Sequence, residues 1–228
     1  MRNIRVNKIN LFIISNLIFF FSACSTIEHM PDAELKSTKY KQNIHYQLIN
    51  PPLRSESKDK RIEVVEMFFY ACPHCNTLES KILPWLEDKA DDINFKRIPA
   101  ILGPTWADQA KAYYVAEQLG ILETIHPALL KAIHVDKRKF NDEYSVMEFF
   151  VEQNVDRQLF IETYNSPQVA EKINHARIMT VKYGLRGVPA IIINGKYKTA
   201  PFYMSSQENI LDVADYLIAK EKSLFSKN

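Results

Sequence analysis

Cys72-Pro73-His74-Cys75 is the segment of this sequence best equipped to do chemistry. It stands where a run of apolar, β-favouring residues, Val64-Val65-Glu66-Met67-Phe68-Phe69-Tyr70, gives way to a stretch with helical character. Two cysteines three positions apart at a helix start can close a small, reducible disulfide. The first thiol then lies over the unpaired N–H groups of the first turn, where the helix dipole favours an anion. That lowers the pKa of Cys72 and makes it both a thiolate nucleophile and a good leaving group. Pro73 suits the first helical position, because its missing N–H is not needed there. The segment reads as a thiol–disulfide exchange centre.

Other uses of the same pair fit less well. C-x-x-C is half a zinc site, but the chain has only three cysteines and neither a second C-x-x-C nor an H-x-x-x-H. Covalent haem attachment needs a histidine after the second cysteine, and Asn76 stands there. A structural disulfide closing so short a loop removes little chain entropy. No metal and no cofactor is therefore expected.

The elements that must hold this site follow from periodicity. A helix is expected from about Cys72 to Ala90, apolar at Leu78, Ile82, Leu83 and Leu86, and then a strand from Ile93 to Ile98. That β-α-β unit leaves the cysteines at the carboxyl end of its first strand, where open α/β sheets place their sites. Far downstream, Ala190-Ile191-Ile192-Ile193 is a short buried strand, and Asn194-Gly195 before Lys196-Tyr197-Lys198 is a strong hairpin signal. Ile210, Leu211, Val213, Ala214, Leu217 and Ile218 mark a closing amphipathic helix. The order β-α-β, then β-β-α, is that of a thioredoxin fold.

The halves are separated by residues 103–184, which carry almost no strand signal. They read as five helices: Trp106 to Leu119, Ile125 to His134, Val146 to Gln153, Asp156 to Tyr164 and Pro167 to Tyr183. Asp156 and Ser166 suit N-caps and Gly184 a C-cap. Tyr113, Leu129, Phe149, Phe150, Leu159 and Phe160 are the core candidates of this inserted all-helical domain. The expected fold class is α/β, a thioredoxin domain over 44–102 and 185–228 interrupted by a helical domain over 103–184.

The N-terminus has the form of an export signal: a basic start with Arg2, Arg5 and Lys8, an apolar stretch Ile9 to Phe21, then Ser22-Ala23. Removing residues 1–23 takes the net charge from +2 to −1, which argues against a nucleic-acid partner. The apolar stretch is too short to span a membrane. Phe21-Ser22-Ala23-Cys24 looks like a bacterial lipobox, with Phe21 where Leu is usual. Cleavage there leaves a lipid-modified Cys24, which accounts for the odd cysteine; the alternative is a soluble signal with Cys24 an incidental thiol. By resemblance to lipoprotein sorting rules, Ser25 after the cysteine favours the outer membrane. Residues 24–43 read as a polar tether with a reach of roughly 25 Å if flexible.

Val65 to Phe69 running into Cys72-Pro73-His74-Cys75, the helical insert, then Gly187-Val188-Pro189-Ala190 and Asn194-Gly195-Lys196-Tyr197, together resemble the DsbA family of bacterial periplasmic thiol oxidases. The resemblance covers roughly Tyr40 to the C-terminus. It implies introduction of disulfides into reduced exported proteins, with reoxidation by a DsbB-like, quinone-linked membrane partner. It also implies that Cys72 is the exposed nucleophile, that Cys75 is its buried partner, and that Val188-Pro189 is a cis-proline loop facing them. His74 then stands where its charge or a hydrogen bond stabilises the Cys72 thiolate.

Glu66, an acid inside an apolar run, is expected to be buried with a raised pKa and to exchange a proton with Cys75. Lys96 on the next strand is its expected charge partner; a plain buried ion pair is the alternative. Phe202 and Tyr203 after the hairpin either edge a peptide groove or form an exposed loop. A disulfide isomerase or reductase, and a lipid-anchored chaperone or binding module with an incidental redox pair, remain the other functional readings.

Overall fold

The structure, a computed structural model, describes residues 39–55, 61–203 and 209–225. The expected export signal, Cys24 and most of the tether lie outside these residues. Within them, a five-stranded sheet has the order β1-β5-β4-β2-β3. Its strands are β1 (Gln47–Leu48), β2 (Ile62–Phe68), β3 (Ile93–Pro99), β4 (Ala190–Ile193) and β5 (Tyr197–Thr199). β2 and β3 run parallel, while β4 and β5 complete the sheet antiparallel. Helix α1 (Pro73–Lys89) joins β2 to β3, and α7 (Ile210–Phe225) closes the chain.

β2 is buried along its whole length because both faces of the sheet are covered. Ile62 and Val64 point to one face, where they pack with Leu78 and Ile82 of α1 and with Leu211, Val213, Ala214 and Leu217 of α7. Val65 and Met67 point to the other face and belong to the larger core shared with the insert. The insert comprises α2 (Ala107–Gln118), α3 (Leu122–His134), α4 (Glu143–Glu152), α5 (Arg157–Tyr164) and α6 (Pro167–Lys182). Asp142, Asp156 and Ser166 each accept the backbone N–H three residues on, so the starts of α4, α5 and α6 are capped. Gly184 takes φ +57° at the end of α6, a value that favours glycine.

Several expectations need correction. Leu83 and Leu159 are exposed rather than core residues, since each faces solvent on its helix while Ile82 and Phe160 turn inward. Helix α3 starts three residues earlier than its apolar period suggests, and α4 starts at Glu143 behind an Asp142 cap that the reading passed over. The end of the stretch read as tether, from Lys39 to Asn43, already belongs to the domain. Tyr40 is buried, with its ring 5.6 Å from that of Tyr216. The hairpin is as expected: Asn194 and Gly195 both take positive φ, and Lys196 N–H donates to the Ile193 carbonyl at 2.9 Å.

Candidate active site

β2 delivers the chain into a tight turn in which Cys72 N–H donates to the Phe69 carbonyl at 3.1 Å. Cys72 is the N-cap of α1, with extended backbone and no side-chain cap bond, and Pro73 fills the first helical position. The Cys72 side chain is therefore left over the open N–H groups of the first turn. One helical turn on, Cys75 is buried at 3 % exposure. Both cysteines are free thiols.

These positions separate the two thiols chemically. A hydrogen bond from the Cys75 thiol does most to lower Cys72, to about 6 from an ordinary 9.0. Partial burial opposes that, and the backbone N–H groups of Cys75 and His74 and the charge of His74 assist it. Burial drives Cys75 far in the other direction, reinforced by its bond to Cys72 and by the Cys72 charge. The reduced site at neutral pH is thus one thiolate and one thiol. His74 lies exposed between them, and its charge is among the smaller influences on Cys72.

The loop before β4 closes over this sulfur. The Val188–Pro189 peptide is cis, and Cys72 Sγ lies 3.5 Å from the Val188 carbonyl oxygen, a contact that becomes a hydrogen bond only when the thiol is protonated. Phe202, half-exposed in a 3₁₀ turn over Pro201–Tyr203, covers this loop. A Cβ placed on Gly187 would meet Phe202 Cε1 at 3.6 Å. Tyr203 ends the same turn. Phe69 stacks on Trp106 with ring centroids 3.9 Å apart, a partnership that nothing in the sequence spacing announces.

Glu66 is buried as expected, but its partner is Arg97 and not Lys96. In the parallel register Glu66 lies opposite Arg97, and both face α1, whereas Lys96 lies opposite Val65 on the other face. Alternation along β3 decides the matter. Arg97 Nε donates to Glu66 Oε2 at 2.9 Å, and Lys96 pairs instead with Glu63 at 3.1 Å. Arg97 also donates through Nη2 to both oxygens of Glu79 on α1. His126 of α3 stands 3.5 Å from Glu79, and its Nδ1 lies 2.9 Å from the Tyr70 hydroxyl. Glu79 was missed by the sequence reading although it lies one helical turn after Cys75, a spacing that places it beneath the same end of the sheet.

Burial raises the Glu66 carboxyl to about 7; Arg97 pulls against this rise and the Glu79 charge adds to it. The Glu66 charge in turn contributes to the rise of Cys75. An acid raised toward neutrality, whose charge acts on a thiol that must gain and lose a proton, is suited to that exchange. Among the described residues no group of three or more His, Cys, Asp or Glu is arranged to hold a metal.

Residues 63–213 match the family described as a DSBA-like thioredoxin domain. The thiol:disulfide interchange protein DsbA of Pseudomonas aeruginosa is 34% identical over 171 residues, covering 75% of this chain and 81% of that protein. That of Pseudomonas syringae pv. tomato is 36% identical over 163 residues, covering 72% and 76%. The crystal structure of Pseudomonas aeruginosa DsbA superposes with a TM-score of 0.76 at 32% identity, over 82% of this chain and 97% of that one.

The raised Glu66 pKa has a consequence for stability. An acid whose pKa is higher in the folded than in the unfolded state binds its proton more tightly when folded. Its contribution is most favourable below the unfolded value of 4.5 and is lost as pH rises toward about 7. Chemical denaturation of reduced protein should therefore show wild type losing stability relative to Glu66→Gln across that interval. Parallel curves would mean that Glu66 does not titrate there.

Proposed function

This chain belongs to the DsbA family of thiol:disulfide oxidoreductases, and on that premise we propose how its site oxidises its substrates. In the oxidised enzyme a substrate thiolate attacks Cys72 Sγ. A substrate–Cys72 disulfide forms, the Cys72–Cys75 bond breaks, and its electron pair leaves on Cys75. Cys75 takes a proton from the Glu66 carboxyl. A second substrate thiolate then attacks the substrate sulfur and expels Cys72 as a thiolate. Two electrons have passed from two substrate thiols to the cysteine pair, and the substrate holds a disulfide.

The observation that carries this reading is the asymmetry of the pair, a Cys72 thiol lowered to about 6 against a Cys75 thiol raised far above its ordinary value. It makes Cys72 the sulfur that leaves readily, and Glu66 the group that accepts or returns the proton of Cys75. Arg97 and Glu79 hold Glu66 in its working range. His74 adds a share to thiolate stabilisation. The Val188 carbonyl and Pro189 bind an extended substrate segment beside Cys72, and Phe202 edges its groove.

The substrates are reduced exported proteins in the periplasm, and the reoxidant is a DsbB-like, quinone-linked membrane protein. Phe21-Ser22-Ala23-Cys24 supports lipid anchoring at Cys24, and Ser25 favours the outer membrane. Among the described residues no helix is long and apolar enough to cross a membrane; the proposed attachment is the lipid at Cys24.

Cys72→Ser should abolish oxidation of a reduced peptide, and Cys75→Ala should accumulate mixed disulfides through Cys72, both read by mass spectrometry. Full activity in C72S would remove Cys72 from the mechanism. Cys24→Ser should leave catalysis by the purified protein intact while releasing the protein from membrane fractions. If C24S still pellets with membranes, or the mature wild type carries no acyl chain, the anchor is wrongly assigned.

A further inference from the structure

Tyr70 and Ala71 connect the end of β2 to the nucleophile, and the helical insert supplies hydrogen-bond partners to both. Gln109 of α2, only 3 % exposed, accepts the Ala71 N–H on Oε1 at 3.1 Å. Its Nε2 donates to the Phe140 carbonyl at 3.4 Å, which fixes the direction of the amide. His134, in the last turn of α3, meets the Tyr70 carbonyl at 2.7 Å through Nε2. A carbonyl only accepts, so Nε2 carries the proton. His126, earlier on α3, meets the Tyr70 hydroxyl at 2.9 Å. Three polar side chains from the insert thus converge on two residues of the thioredoxin domain.

We infer that the insert acts as a clamp on the nucleophile: Gln109, His126 and His134 are positioning residues that hold Tyr70 and Ala71, and so fix Cys72 over the first turn of α1, beside the Val188–Pro189 loop. None of the three touches the reacting sulfur. Each acts through the Phe69–Cys72 turn, whose one backbone hydrogen bond runs from Cys72 N–H to the Phe69 carbonyl at 3.1 Å. One such bond leaves the plane of the Tyr70–Ala71 peptide able to turn through ψ of Tyr70 and φ of Ala71, and with it the path of the chain into Cys72. The clamp removes that freedom by holding the Tyr70 carbonyl and the Ala71 N–H from the insert side.

The clamp matters because hydrogen bonds weaken steeply with angle. The Cys72 thiolate depends on donors of fixed direction, the Cys75 thiol and the N–H groups of Cys75 and His74. A small displacement of Cys72 misaligns all of them together and moves its pKa toward the ordinary thiol value. His126 adds a second link, since its other nitrogen lies 3.5 Å from Glu79 in the ion-pair cluster beneath the site. The same side chain therefore lies between the turn and the groups that hold Glu66.

This inference rests on Cys72 being the nucleophile, and the experiment keeps the two claims apart. His134 is only partly buried, so polar substitutions there leave the fold intact. Gln places an amide nitrogen at the reach of the His Nε2, whereas Asn is too short. His134→Asn should raise the Cys72 pKa, read from thiolate absorbance against pH, by about half to one unit, or ~3- to 10-fold in the ionisation constant. The rate of peptide oxidation should fall with it, and His134→Gln should restore both. Gln109→Leu, at a separate site on the same turn, should shift the pKa in the same direction. If H134N and Q109L unfold more easily yet keep the wild-type Cys72 pKa, these residues only support the fold and the clamp is wrong. If instead C72S still oxidises the peptide, the assignment of the nucleophile fails.

Discussion

Everything at this site depends on one helix N-terminus holding two thiols in unlike surroundings. Cys72 sits outside the first turn of α1, half in solvent, with unpaired N–H groups before it; Cys75 sits one turn in, at 3 % exposure. The same hydrogen bond lowers one thiol and raises the other, since Cys75 donates to Cys72 in the reduced state. The negative charge therefore rests on the sulfur that substrates meet. At pH 7, stabilising a thiol from 9.0 to about 6 favours the reduced form by about 1.4 kcal/mol, because only the part of the shift lying below the ambient pH counts. For a two-electron couple that is about 30 mV in the oxidising direction.

The fold supplies this terminus with a foundation that is costly on its own. Glu66 is 2 % exposed in a strand buried on both faces, and an unpaired carboxylate there would be strongly disfavoured. Arg97 offsets that cost without removing it, because its guanidinium is shared with Glu79. Shared in this way, Arg97 leaves Glu66 near neutrality instead of firmly ionised. Buried ion clusters of this kind add little net stability compared with apolar packing. In the proposed cycle the arrangement has a chemical use, since the carboxyl would trade its proton with a thiol that changes protonation in each turnover.

The sequence announced the site better than it announced the site's surroundings. The cysteine pair, the apolar strand before it and the Asn-Gly turn are local signals whose meaning does not depend on distant residues. Local signals also set the ends of most helices in the insert, where Asp156 and Ser166 are caps in fact. What stayed illegible was decided by packing across long separations. Whether Lys96 or Arg97 faces Glu66 depends on the β2–β3 register, which two adjacent cations leave open. Gln109, His126 and His134 lie 38, 56 and 64 residues from their partners at Ala71 and Tyr70, and no spacing rule connects them. Strand β1, two residues long at the sheet edge, carries too few residues to show a period.

The central claim is that reduced Cys72 is a thiolate at neutral pH while Cys75 keeps its proton. The reduction potential of the pair, measured against glutathione as a function of pH, tests it most directly. Where both sulfurs take up protons on reduction, the potential falls by ~59 mV per pH unit; where only one does, by ~30 mV. A change from the steeper to the shallower slope near pH 6 is what the geometry predicts. A single slope of ~59 mV per unit through pH 8 would contradict it, because Cys72 would then be an ordinary protonated thiol.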